Sequence, residues 1–218
     1  MPLTSRLINC TIDNTTLDIN EGGLYVDNSD DTYHPILLQN EATVWEDLRV
    51  PTTATRRGGS RFPTLEKFLD DGLGSQGLYL ERFSASSEEE LYFSCQLPHS
   101  YKEGTDLEAH IHWGPETTAT GNVIWGLEYA WANIGDPFPA NSTIITATVP
   151  ATTVAKDHAV AELGNIDGTG KTISSMLNCR IFRQAAAGGD TYGGEAWLYE
   201  IDFHYQIDSL GSRQEYVK

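Results

Sequence analysis

Apolar and polar residues alternate along most of the chain after residue 77, and a period of two is the pattern of β-strands. Turn-forming clusters such as Gly114-Pro115 and Gly188-Gly189-Asp190 separate the alternating segments. With a first strand over residues 42–50, the pattern predicts about eight antiparallel strands in a sandwich or barrel. Long strands with long connections favour a jelly-roll-like arrangement over a simple meander. The alternating segments are 78–83, 91–97, 107–113, 123–131, 144–149, 175–181 and 197–207.

Two segments depart from this pattern. Residues 1–41 are acidic and weakly patterned, so we expect an N-terminal arm or peripheral hairpin, followed by one domain over residues 42–218. Residues 64–69 predict a short helix, because Thr64 can act as an N-cap and Leu65, Phe68 and Leu69 share one helical face.

The strand phases also predict which large side chains are buried. Trp113, Trp125 and Trp131 share their phase with aliphatic neighbours and are expected in the core, as are the thiols of Cys95 and Cys179. On the last strand one face is expected to carry the apolar set Trp197, Tyr199, Ile201, Phe203, Tyr205 and Ile207, and the other Glu200, Asp202, His204 and Gln206.

Composition narrows the classes of partner. The 218 residues include 31 acidic and 14 basic side chains, a formal charge of −17. Nucleic acid and anionic membranes are therefore poor partners, since both are bound through clustered Lys and Arg. No apolar run has the length of a signal peptide or a transmembrane helix, and the three cysteines form no disulfide framework. We expect synthesis in a reducing cytoplasm.

A pair of histidines offers the clearest metal-binding pattern. His110 and His112 stand at i and i+2 on a predicted strand, so both point to one side. With Gly104, Glu116 and Gly121, this string resembles the first metal-binding motif of the cupins, which implies His110, His112 and Glu116 as ligands. His204, on the polar face of the last strand, is a further candidate. A second cupin motif is missing around His158 and His204. We therefore predict no metal or cofactor, and histidines hydrogen-bonded to Glu108, Glu128 or Asp202 on a half-solvated face.

No motif of an enzyme active site is present in the sequence. The chain has no GxSxG elbow, P-loop or GxGxxG fingerprint, and Gly168-Thr169-Gly170-Lys171 precedes a strand as a hairpin turn would. We predict a non-enzymatic protein with no catalytic residues.

Several segments resemble virion proteins of tailed bacteriophages. They include 42–48 (ATVWEDL), 96–106 (QLPHSYKEGTD), 110–113 (HIHW) and 202–206 (DFHYQ). The resemblance implies a β-sandwich located in the virion as a capsid decoration protein, head fibre or tail component. It further implies a homotrimer bound to the major capsid protein or to other virion proteins.

One basic loop stands out in this acidic chain. Arg56, Arg57 and Arg61 are expected to bind an acidic partner. Two alternatives remain open. One is a carbohydrate- or receptor-binding module of a tail or head fibre, with a surface glycan as partner. The other is a cupin-like metal-binding protein.

Overall fold

A computed structural model of the protein describes residues 16–17, 26–27 and 44–218. The strands are β1 (Thr16–Leu17), β2 (Val26–Asp27), β3 (Val44–Pro51), β4 (Arg56–Arg57), β5 (Thr64–Leu69), β6 (Leu78–Phe83), β7 (Glu89–Gln96), β8 (Leu107–Pro115), β9 (Asn122–Ala132), β10 (Thr143–Pro150), β11 (Ala159–Ile166), β12 (Met176–Arg183) and β13 (Ala196–Ile207). The only helical element in these ranges is a 3-10 turn at Thr52–Ala54, and none of them holds a helix able to cross a membrane.

Eleven strands form two antiparallel sheets. One has the order β10, β9, β12, β7, β4, and the other β11, β8, β13, β6, β5, with β3 also paired to β13. The chain changes sheet at each step from β7 to β9 and from β11 to β13, as in a jelly roll and unlike a meander. The predicted all-β, antiparallel, jelly-roll-like sandwich is therefore confirmed.

The core lies between the sheets and contains the predicted aromatic residues. Trp113 and Trp125 are fully buried with ring centroids 6.1 Å apart, and Trp131 is 4% exposed. Cys95 and Cys179 are buried free thiols, as predicted. A hydrogen bond with Cys95 and burial both raise the pKa of the Cys179 thiol, which keeps it protonated.

The helix predicted over residues 64–69 is wrong, because this segment is strand β5. It pairs with β6, and Phe68 packs edge-on against Trp197 at 5.2 Å and Tyr199 at 5.6 Å. An isolated six-residue helix is unstable in water. Pairing with β6 and the contacts of Phe68 therefore outweigh the helical pattern.

The predicted faces of β13 are wrong at its start because of a β-bulge. Leu198 pairs with Trp113 and Glu200 with His112, so Tyr199 is an extra residue that reverses the phase. Leu198 faces the core, whereas Trp197 lies on the outer side. Trp197 is nevertheless only 2% exposed, since Phe68 covers its ring.

The predicted arm over residues 1–41 lies outside the described residues except for β1 and β2, which pair with each other. The boundary at residue 42 stays a prediction.

Candidate ligand-binding cleft and histidine cluster

The outer face of the five-stranded sheet carries a row of side chains that are polar except for Ile144 at one end. The register places Ile144 beside Glu128, Glu128 beside Arg180, Arg180 beside Tyr92, and Tyr92 beside Arg56. Since their strand neighbours point into the core, these side chains point outward. Three of them, Glu128, Arg180 and Tyr92, line an open cleft of about 530 Å³, together with Arg61, Glu88, Glu90, Tyr129, Ala130, Ser142, Asn178 and Cys179.

Arg180 organises the charges of this cleft. Its Nε donates to Glu128 Oε2 at 2.8 Å, and its Nη1 donates to Glu90 Oε2 at 2.5 Å and to Glu88 Oε1 at 3.3 Å. Arg61 pairs with the same Glu88 and Glu90 at 3.3 and 3.4 Å. The carboxylates are thus held in fixed positions by guanidinium groups.

Glu128 is held ionised in this network. A hydrogen bond donated by Ser142 and the contact with Arg180 lower the pKa of the Glu128 carboxyl, although burial opposes the shift. At neutral pH Glu128 is therefore a hydrogen-bond acceptor only.

Tyr92 separates the cleft from a second groove of about 280 Å³, which Arg56, Ser94 and Asn178 also line. The Tyr92 hydroxyl donates to Glu90 Oε1 at 2.8 Å. Its ring packs against Gly58, where a Cβ atom would lie 2.6 Å from Tyr92 Cε2. The absent side chain of Gly58 therefore allows the loop to approach the ring.

The three predicted partner-binding arginines lie along these two depressions. Arg61 lines the cleft, whereas Arg56 and Arg57 line the second groove. Arg57 pairs with Glu81 at 3.0 Å, and Arg61 pairs with Glu88 and Glu90. Two of the three guanidinium groups are therefore partly neutralised within the chain, and their role towards a partner stays a prediction.

The predicted metal candidates lie on the outer face of the other sheet, and the structure brings only some of them together. Asp202 is paired in register with His110 and contacts it, with Oδ1 against Nε2. Asp202 Oδ2 lies 3.4 Å from His112 Nε2. The rings of His110 and His204 have centroids 4.2 Å apart. His112 Nδ1 lies 2.7 Å from Nε2 of His158.

The ligand set implied by the cupin resemblance is wrong in one member. Glu116 lies six residues along the chain from His110, a distance of about 20 Å in an extended strand. It binds Arg82 at 2.6 Å instead. Asp202, which was expected as a hydrogen-bonding partner, takes the place beside the histidines.

The surroundings of the buried residues His110 and Asp202 favour a protonated imidazole and an ionised carboxylate. Burial lowers the pKa of His110, but contact with the Asp202 carboxylate outweighs it and the pKa is raised. For Asp202, burial raises the pKa, and the neighbouring His110 and His112 outweigh that effect and lower it. Both shifts favour the charged pair.

Sequence reasoning missed the cleft as a site. The outward phase of residues 175–181 contained Asn178 and Arg180, and that of residues 91–97 contained Tyr92. These positions could have been singled out as the polar faces of their strands. Their convergence depends on the order β9, β12, β7, β4 in the sheet, which alternation alone does not determine.

No protein-family model matches the chain, and no curated protein matches it. Among solved structures it is similar to the CBM22-2 xylan-binding domain of Paenibacillus barcinonensis Xyn10C, at 10% identity, TM-score 0.41, 70% of this chain and 91% of that one. A Clostridium thermocellum xylanase 10B fragment with CBM22-1 and GH10 modules, complexed with xylohexaose, gives 12% identity and TM-score 0.40 over 78% of this chain. The match spans 29% of the length of that fragment. TmCBM61 in complex with β-1,4-galactotriose gives 14% identity and TM-score 0.31 over 75% of this chain and 88% of that one. Similarity at this level assigns no ligand to the chain.

Proposed function

We propose that the protein is a non-catalytic carbohydrate-binding module that holds an oligosaccharide in the cleft around Arg180. The observation that carries the proposal is the cleft itself, in which fixed hydrogen-bond donors and acceptors alternate on the outer face of a sheet. A carbohydrate-binding module is one of the two alternatives to a virion structural role that the sequence leaves open.

The chemistry of the lining suits sugar hydroxyl groups, each of which both donates and accepts hydrogen bonds. Arg61, Arg180 and Asn178 supply N–H donors, and the carboxylates of Glu88, Glu90 and Glu128 supply acceptors. Three carboxylates against two guanidinium groups leave the lining close to neutral. A neutral glycan therefore fits better than a strongly charged one.

The shape suits an extended ligand. The cleft and the second groove lie on the same sheet face and share Tyr92 and Asn178. Together they cross the sheet from β9 to β4, which is three interstrand spacings or about 14 Å. An oligosaccharide lying across the strands would contact both depressions.

The same geometry favours binding over hydrolysis. Glycosidases use a carboxylic acid of raised pKa to protonate the leaving group. In this cleft the pKa of Glu128 is lowered, and Glu90 is bound to Arg180 and Tyr92. We therefore propose that these carboxylates bind hydroxyl groups and transfer no proton.

The test is a glycan array followed by calorimetry with neutral oligosaccharides, including xylohexaose and β-1,4-galactotriose. We expect Asn178→Ala to weaken binding of the retained glycan about fivefold, the effect of about one neutral hydrogen bond. Thr148→Ala, on the same sheet and outside the cleft lining, is the matched control and should bind as the parent does. If Asn178→Ala binds the glycan as tightly as the parent does, the glycan does not bind in this cleft and the proposed site is wrong.

A structural role in a virion is the second candidate function. The hairpin of β5 and β6 exposes apolar side chains that favour contact with another protein surface, with Leu73 90% exposed and Leu78 65% exposed. We propose a second copy of this chain as the occupant, in line with the predicted homotrimer. Light scattering tests this, since a monomer at working concentration would contradict it.

A further inference from the structure

A cluster of nitrogen and oxygen donors lies on the six-stranded sheet, opposite the glycan cleft. One donor atom each from His110, Asp202 and His204 lies within 4.8 Å of the other two. The residues come from the neighbouring strands β8 and β13, whose pairing fixes Asp202 beside His110. The donors therefore converge through backbone register, and small side-chain rotations are sufficient to bring them onto one ion.

The cluster contains buried polar atoms without hydrogen bonds. His110 and Asp202 are each only 3% exposed. His110 Nδ1 and Asp202 Oδ1 both lack a hydrogen bond of good geometry, even though Oδ1 touches the His110 ring. Buried polar groups in native proteins are almost always satisfied. A cation bound by the cluster would give these buried atoms a partner of better geometry.

The surrounding charges favour a cation. His204 Nε2 lies 3.0 Å from Asp47 Oδ1, and Glu162 is the register neighbour of His110 on its other side. Arg49, the register neighbour of Asp202 on β3, pairs its guanidinium with Glu200 at 2.7 Å. The cluster thus has carboxylates around it, and the guanidinium next to Asp202 in register is paired with Glu200.

Access to the cluster is provided by His204. Its side chain is 37% exposed, in contrast to the buried His110 and Asp202. An ion could therefore reach the buried donors from solvent along the His204 ring, and a water molecule could complete its coordination.

We propose that His110, Asp202 and His204 form a binding site for one divalent transition-metal ion of the Zn²⁺ type. Two imidazole nitrogens and one carboxylate are the donors that such ions prefer, whereas Ca²⁺ and Mg²⁺ prefer oxygen ligands. His112, which contacts Asp202 from the other side, acts as a positioning residue for the carboxylate. The ion would clamp β8 to β13.

The experiment uses the tag-free full chain, freed of metal with EDTA. Equilibrium dialysis against Zn²⁺ with elemental analysis should give one ion per chain, and dialysis against Ca²⁺ none. His204→Ala and Asp202→Asn should each weaken Zn²⁺ binding by about tenfold or more. His99→Ala is the matched control, because His99 bonds to Ser174 and Ser212 outside the cluster. It should bind Zn²⁺ as the parent does.

A second measurement needs no variant and therefore no assumption about folding. Histidine side-chain NMR of the parent protein should show Zn²⁺ shifting the ring signals of His110 and His204 while the signals of His99 stay in place. Absence of Zn²⁺ binding, equal binding by the parent and both cluster variants, or shifts confined to other histidines would each overturn the site. None of these outcomes bears on the glycan cleft, which lies on the other sheet.

Discussion

Arg183 is the largest fully buried charged side chain among the described residues. It is 0% exposed and forms two hydrogen bonds to Asp190, from Nε at 3.0 Å and from Nη2 at 2.9 Å. It also donates to the backbone oxygens of Tyr192 and Gly194 at 2.9 Å. One side chain therefore orders the segment that leads into β13, and burial is tolerated because all three guanidinium nitrogens form hydrogen bonds.

Removing this guanidinium should be strongly destabilising. We expect Arg183→Met to lower the free energy of unfolding by about 3–5 kcal/mol, because Asp190 would be left buried without its partner. Chemical denaturation monitored by tryptophan fluorescence measures the change. The double variant Arg183→Met with Asp190→Leu should recover part of the loss, and a loss below about 1 kcal/mol in the single variant would contradict this account.

Glu89 gives a pH-dependent prediction. Burial raises the pKa of its carboxyl, which outweighs the Ser84 backbone N–H that donates to Oε2 at 2.7 Å. Ionisation of Glu89 therefore costs stability once the pH rises above its unfolded-state pKa of about 4.3. Glu89→Gln keeps an acceptor for Ser84 and removes the charge, so its Tm should exceed that of the parent at pH 7.

The pH profile of that difference is the decisive part of the measurement. Below the unfolded-state pKa the Glu89 carboxyl is protonated in both the folded and the unfolded parent protein. The difference in Tm between Glu89→Gln and the parent should therefore shrink as the pH falls to about 4. Glu215→Gln, at an exposed position near the C-terminus, controls for the general loss of an acidic charge. A difference that is independent of pH would show that the effect is not electrostatic.

At the scale of elements, strand β5 shows how far local pattern can be trusted. The residues of 64–69 satisfy a helical spacing as well as a strand, and six residues are too few to separate the two patterns. Contacts with distant parts of the chain stabilise the strand over the helix, and the packing of Phe68 on Trp197 is one of them. The bulge at Tyr199 is equally invisible to alternation, because one extra residue reverses the faces without a local signal.

Phe68 should therefore be the residue that holds β5 in place. We expect Phe68→Ala to lower the free energy of unfolding by about 1–2 kcal/mol, below the loss for a fully buried Phe because Phe68 is half-buried. It should also expose Trp197 and shift the fluorescence emission to the red. Leu65→Ala, at a 53% exposed position of the same strand, is the control and should change stability by no more than about 0.5 kcal/mol. An unchanged emission in Phe68→Ala would contradict the packing described.

At the scale of the whole molecule, the sandwich was predictable and the cleft was not. The fold follows from alternation, which each strand displays locally in residues such as Ile111, Trp113 and Trp125. The cleft joins residues as far apart in the chain as Arg61 and Arg180. Their meeting depends on strand order and register, which the apolar pattern leaves undetermined.

The two proposed binding sites lie on different sheets. The outer face of the five-stranded sheet holds the proposed glycan cleft, and the outer face of the six-stranded sheet holds the histidine cluster. Phage origin, homotrimer formation and location in a virion stay proposals. They are compatible with glycan binding, since a fibre module can combine both roles.

The measurement that tests the central claim most directly is calorimetric titration of Arg180→Met and of the parent protein with the glycan retained in the array. Arg180 anchors both Glu90 and Glu128, so its loss removes charged hydrogen bonds and should weaken binding by about 10- to 100-fold. Thr148→Ala should bind as the parent does. Equal affinities of Arg180→Met and the parent, or no glycan bound by the parent at all, would contradict the account.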